Sequence, residues 1–203
     1  MNLLFQTILN SVLQLILFLI IPLIWWSISI RKKQAFGEWI GLKPMDSRKG
    51  SPLWTWIIMT TVAFMIISMF ILYKLKDVPT ATDQFAHLGI RGIPSLFIYA
   101  VLNTALPEEI LFRGFLLKRL ANKWGFQWAN SIQAGVFALI HGWLFWGRVE
   151  FLSAVFIILF TGAIAWWMGY INEVKGNGSI LPSWFIHASA NLISGLVAIM
   201  GIF

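Results

Sequence analysis

An all-α, polytopic membrane bundle of about six transmembrane helices is the fold this sequence predicts, and three observations carry the prediction. The chain has 203 residues, of which 59% are hydrophobic and only 11% charged, against about 25% charged in average soluble domains. The apolar residues gather into runs of about 20 or more, the length an α-helix needs to cross a bilayer. The Lys and Arg residues lie almost entirely between those runs, so the net charge of +7 reads as membrane topology and excludes a nucleic-acid partner. A single integral membrane domain over residues 1–203 fits this length, with a motif-bearing core at 93–203. There are no cysteines, which rules out a disulfide framework, a thiolate nucleophile and a cysteine metal site.

Residues 3–30 form the first apolar run. No basic segment precedes it and it is long for a leader core, so a cleaved signal peptide is not expected. Pro22 is expected to kink this helix. Arg31, Lys32 and Lys33 end it, and the loop beyond carries Glu38, Lys43, Asp46, Arg48 and Lys49, with Gly41, Pro44 and Gly50 as breakers. The second span is 53–73, followed by a polar connection, 74–92, that holds Pro79, Asp83 and a solvated His87. The third span, 93–117, contains two glutamates and an arginine, and Lys118, Arg119 and Lys123 follow it. The fourth, 127–146, contains His141, and a turn with Arg148 and Glu150 leads to the fifth, 151–171. There Thr161, Ala165 and Gly169 make a small-residue stripe suited to close helix packing. A Gly/Asn turn at 172–179 precedes the sixth span, 180–203, with His187 and Asn191.

Six spans put their loops on alternating sides. Ten Lys/Arg fall in the loops after spans one, three and five, and four in the loops after spans two and four. The positive-inside rule then places the former in the cytoplasm and both termini outside. Trp54, Tyr73, Trp124, Trp128, Trp146 and Tyr170 sit near span ends, as interfacial aromatic belts do.

The third span sets the chemical question. Glu108, Glu109 and Arg113 lie within six residues of one another in an otherwise apolar run, and each ionised group near a bilayer centre costs at least about 2.5–3.5 kcal/mol. They must be paired, hydrated or used. Residues four apart share a helix face, so Glu109 and Arg113 form an ion pair while Glu108 diverges by about 100°. A carboxylate so placed suits a general base; a helix-to-helix ion-pair clamp, or a wetter helix end, also accounts for the group. His141 follows Phe137 by one turn, and His187 shares a face with Asn191. A histidine and an amide on one face can hold a water, a metal or an oxyanion, or make an ordinary interhelical hydrogen bond. Three of the six helices carry the strongest polar groups, which favours one shared site. Counted from the basic ends of their spans, at about 1.5 Å per residue, Glu108, His141, His187 and Asn191 lie roughly 11–21 Å deep, so one cavity nearer the cytoplasmic side is expected.

The pattern Glu108-Glu109-x-x-x-Arg113, then Phe137-x-x-x-His141, then His187-x-x-x-Asn191 resembles the three motifs of the CPBP family, the CAAX protease and bacteriocin-processing membrane proteins also called the abortive infection family. The motifs stand in the family's order on separate expected helices, and Phe112-Arg113-Gly114 fits the same context. The resemblance implies an intramembrane endopeptidase, similar to type II CAAX prenyl endopeptidases. It assigns water activation to Glu108 with help from His141, oxyanion or water binding to His187 and Asn191, and a supporting role to Glu109, Arg113 and Phe137. It leaves open a metalloprotease, in which Glu108, His141 and His187 would hold a divalent metal, zinc first among them, and a metal-free glutamate protease. The implied partners are the lipid bilayer and a peptide or protein substrate arriving from membrane or cytoplasm. The implied setting is a bacterial plasma membrane, in peptide maturation or bacteriocin self-immunity. Two other functions use the same cavity: a non-catalytic peptide-binding or immunity protein, and a small proton-coupled transporter, which the absence of an inverted repeat disfavours.

Overall fold

The apolar runs fold as seven helices in a computed structural model that describes residues 2–45 and 52–202. Asp46, Arg48, Lys49 and Gly50 of the first loop and Phe203 at the end of the sixth span lie outside the described residues. No strand occurs among the described residues.

Helix α1 (Leu3–Ser29) starts at Asn2, whose side chain accepts the Leu4 N–H at 3.1 Å, and runs unbroken through Pro22. Most of its apolar surface is exposed, Leu17 and Ile28 among the most open, which is what a lipid-facing helix requires. The short α2 (Phe36–Ile40) buries Trp39 and Ile40 and stops at Gly41, whose φ of 81° is the left-handed cap glycine permits. It lies against α4 (Gly89–Trp124) at Gly114, where an added Cβ would come within 2.8 Å of the Ile40 carbonyl oxygen. Helix α3 (Leu53–Lys74) precedes the connection; α5 (Phe126–Phe145), α6 (Phe151–Lys175) and α7 (Leu181–Met200) complete the bundle.

Five of these helices, α1, α3, α4, α6 and α7, are long and apolar enough to span a membrane. The expected fourth span, now α5, is long enough at 20 residues but stands apart in composition. Its Asn130 and Gln133 are fully buried and donate to the backbone of α6, at Trp166 O (2.8 Å) and Ala165 O (3.1 Å). Those bonds require close approach, and small residues provide it: Gly169 of the expected stripe sits directly against Asn130, and Gly162 beside the stripe faces Ala138. Helix α5 is clamped to α6 along this polar face and exposes Trp128, Leu139, Ile140, Trp143 and Leu144.

The bundle has two unlike ends. At one, Lys118 bonds Glu173 and the Gly178 carbonyl (2.8 Å), Ser179 Oγ donates to Lys43 O (2.7 Å), Ile180 N–H donates to Gly41 O (2.9 Å), and Arg119 lies 4.0 Å over the Trp39 ring. The loops expected to be cytoplasmic therefore meet at one end, here named the basic end. At the other end Leu3 of α1, Phe85 of the connection, Leu96 and Tyr99 of α4, and Leu192, Leu196 and Ile199 of α7 form one cluster. Thr82 Oγ1 and Ser194 Oγ, 3.2 Å apart, tie the connection to α7 there.

Candidate active site

Helix α4 presents the first half of the site. It is not a uniform α-helix. Residues Tyr99–Ala105 and Ile110–Leu117 are wound as π-helix on either side of the turn Leu106–Glu109. Pro107 supplies no N–H, so the regular ladder is interrupted beside the acidic pair, and π turns often accompany functional sites. The wider turn also lets Thr104 Oγ1 donate to Tyr99 O at 3.1 Å, five residues back.

The adjacent glutamates have different surroundings. Glu109 is fully buried and saturated. It accepts from Arg113 Nη1 at 3.0 Å, from the Ser183 hydroxyl, and from His187 Nδ1 at 2.9 Å. The expected i, i+4 ion pair is present, and its carboxylate crosses to α7 to hold the His187 ring. Ser183 is itself fixed by Asn172, whose Nδ2 donates to Ser183 Oγ at 2.6 Å and whose Oδ1 accepts the Ser183 N–H at 3.1 Å. Glu108 instead lines a cavity, with its buried Oε2 3.8 Å from His187 Nε2 and no hydrogen-bond partner. That gap is too long for a direct hydrogen bond and suits a shared water.

Both histidines are held by one nitrogen and leave the other free. His141 Nδ1 lies 2.9 Å from the Phe137 carbonyl oxygen, which can only accept, so Nδ1 carries the proton and Nε2 keeps a lone pair. The His141 ring stacks on Phe137 at 4.2 Å. His187 Nδ1 donates to the Glu109 carboxylate in the same way and turns Nε2 toward Glu108. Phe137 joins these parts: its ring carries the Arg113 guanidinium at 4.5 Å on the same side chain that supports His141, and it meets His187 edge-on at 6.1 Å. On α7, Asn191 Nδ2 donates to Thr104 Oγ1 at 2.7 Å, which leaves its second N–H and its Oδ1 free.

Glu108, His141, His187 and Asn191 all line one cavity of about 320 Å³. Its lining runs from Glu108 and His187 to Thr80, Ala81 and Thr82 of the connection. Glu108 and His187 lie in the halves of α4 and α7 nearer the basic end, and His141 and Asn191 beyond the middle of α5 and α7. Glu108, His141 and His187 are donors of the kind a metal takes, and among the described residues no three His, Cys, Asp or Glu side chains form a group that could hold a metal ion. Stacking on Phe137 and the bond to Glu109 direct the two rings independently.

Four further residues belong to the site: Thr104, Ser183, Asn172 and Tyr99, which also lines the cavity. Two of these carried a signal, since Thr104 is four before Glu108 and Ser183 four before His187.

The family model of the type II CAAX prenyl endopeptidase, Rce1-like, matches residues 90–193, just over half of the chain and all three motifs. The chain belongs to that family. It is an integral membrane protein of an intramembrane endopeptidase family, and the matched region covers the parts of α4 to α7 that carry Glu108, His141, His187 and Asn191. No curated protein and no solved structure matches the chain.

Proposed function

We propose that this chain hydrolyses peptide bonds inside the cavity with Glu108 as general base. The observation that carries the reading is the pairing of a saturated carboxylate with an open one. Glu109, bonded three times over, fixes the His187 tautomer, while Glu108 keeps an unbonded oxygen on the cavity. A water between Glu108 and the free Nε2 of His141 gives its proton to Glu108 as its oxygen attacks the peptide carbonyl carbon. The oxyanion that forms is met by the second Asn191 N–H and by the His187 imidazole, which the Glu109 carboxylate orients. Glu108 then passes the proton to the departing amine and the C–N bond breaks. The triad-like order of carboxylate, imidazole and reacting group follows the general logic of an oriented histidine. Arg113 holds Glu109, and Thr104 aims Asn191. Residues 1–203 act in this reading as one domain whose catalytic core is 93–203. Peptide maturation and bacteriocin self-immunity both fit such a peptidase.

Glu108→Gln preserves shape but cannot take a proton from water. Purified wild type and variant are to be compared on a peptide library in detergent or liposomes. Cleavage by the wild type, lost in the variant while peptide binding persists, is the expected result. Binding by both with cleavage by neither would select the non-catalytic peptide-binding protein, and uptake driven by a proton gradient would select the transporter.

A further inference from the structure

The cavity holds a second polar group, about one helical turn beyond Asn191. His187, Asn191 and Ser194 stand at i, i+4 and i+7 on α7 and share a face. Thr80, Thr82 and Ser194 line the same cavity as Glu108, His187 and Asn191. Their three hydroxyls form a chain that ends on a carboxylate. Ser194 Oγ lies 3.2 Å from Thr82 Oγ1, Thr82 Oγ1 lies 3.1 Å from Thr80 Oγ1, and Thr80 Oγ1 donates to Asp83 Oδ1 at 2.7 Å. The other Asp83 oxygen accepts the Thr80 N–H at 2.8 Å. The reaction proposed above uses none of these groups.

Each hydroxyl has one proton to donate, and the carboxylate decides where each proton goes. An ionised carboxylate only accepts, so the Thr80 proton points to Asp83. Thr80 Oγ1 can then only accept from Thr82. Thr82, with its own proton committed to Thr80, can only accept from Ser194. Ser194 therefore donates into the chain and keeps an oxygen that has no other hydrogen bond among the described residues. Asn191 has the opposite character, because its second N–H remains to be donated. A donor and an acceptor three residues apart on a helix lie about 5–6 Å from each other. An extended peptide alternates C=O and N–H and advances about 3.3–3.6 Å per residue, so one strand can meet both.

We infer that Ser194 is a substrate-binding residue, whose hydroxyl oxygen accepts a backbone N–H of the bound peptide one or two residues from the bond that is cut. The identification of the occupant as a peptide rests on the protease reading above. Asp83 does not line the cavity; it is a positioning residue that sets the direction of every proton in the chain. Asparagine at this position reverses that direction without changing the shape of the side chain. The Thr80 N–H can only donate and so takes the amide oxygen, which turns Nδ2 toward Thr80 Oγ1. Thr80 then donates to Thr82, Thr82 donates to Ser194, and Ser194 is left with a proton to give where it had a lone pair.

The test uses the library peptide that the purified wild type binds most tightly, together with analogues in which one amide at a time, the scissile one excepted, is replaced by an ester. An ester lacks the N–H and keeps the shape. Binding and kcat/KM are measured for the wild type, Ser194→Ala and Asp83→Asn. Asp83 is exposed, so its variant serves where the Ser194 substitution disturbs folding. The expected result is one ester position, within two residues of the scissile bond, that weakens binding and kcat/KM of the wild type by about 2–10-fold, the value of one neutral hydrogen bond. That penalty should vanish in Ser194→Ala and in Asp83→Asn, which a merely structural role for either residue would not bring about. An ester penalty of the same size in all three proteins, or none near the scissile bond, overturns the inference while cleavage leaves the protease reading standing. Binding with the expected pattern but no cleavage removes the protease reading and leaves Ser194 as the binding residue. Failure of the wild type to bind any peptide overturns both.

Discussion

The basic end and the cavity end of this bundle use the same kinds of side chain in opposite ways. At the basic end Lys118 is bonded to Glu173 and a carbonyl, Ser179 to a carbonyl, and Arg119 is laid on Trp39. Lys118 and Ser179 are fully engaged by neighbours, and Arg119 donates through Nη2 to Trp39 O. Toward the cavity end, Glu108 Oε2, the two histidine Nε2 atoms and half of the Asn191 amide are left available, each beside a partner that is fully engaged. A buried polar group without a partner costs about 1–3 kcal/mol. Glu108 Oε2 is such an atom on the cavity, while Arg119 Nε is the one in the basic lock, on a guanidinium that is otherwise bonded to Trp39 O and laid on its ring.

The largest effect expected on this contrast, after loss of Glu108 itself, is at Arg113. It is fully buried, and its charge is opposed by Glu109 and covered by Phe137. Removing one partner of a buried pair typically costs about 3–5 kcal/mol. Arg113→Ala should therefore lose most folded protein, measured as monodisperse yield after extraction, and Arg113→Lys should recover part of it while the His187 ring stays misaligned. Normal yield together with wild-type cleavage by Arg113→Ala would show that Glu109 needs no support.

A smaller effect is expected at Asn191, whose side chain lines the cavity. Asn191→Ala should slow cleavage by about 10²–10³, the usual loss of one oxyanion donor, with little change in yield. Thr104→Val removes only the group that aims the amide, so about 10-fold is expected, the lower range for a supporting contact. Equal losses in the two variants would make Thr104 a participant in the chemistry and not a positioning residue.

These residues also mark where the sequence was legible. Glu109 and Arg113 at i, i+4, and His187 and Asn191 at i, i+4, could be paired from spacing because one helix fixes both partners. The crossing from Glu109 to His187 could not. It depends on how far α4 and α7 are rotated about their axes, and the two π stretches of α4 change that rotation without a periodicity of their own. Ser183 and Thr104 were at readable spacings but gave a weak signal, because Ser and Thr in such helices commonly bond their own backbone, as Thr7, Ser11 and Thr161 do here. The six-span pattern was legible throughout, and what it concealed was the character of α5. Its Asn130 and Gln133 lower its apolarity, and only their bonds to α6 show why a helix inside the bundle tolerates them.

The smallest effect is expected where the contrast predicts that chemistry is untouched. Lys118 is partly exposed, with 13% of its side chain accessible against 25% for Glu173, so the pair is screened and worth about 1 kcal/mol at most. Lys118→Met keeps the length of the stem and removes the charge. It should lower the melting temperature by about 2–4 °C, the shift that 1 kcal/mol gives in a chain of this size, and leave kcat and KM unchanged. Because Lys118 also holds the Gly178 carbonyl, part of the loss should persist in Glu173→Gln with Lys118→Met, and the two changes should not add. A fall in kcat with an unchanged melting temperature would mean that the basic end communicates with the cavity and that the division between lock and hollow is wrong.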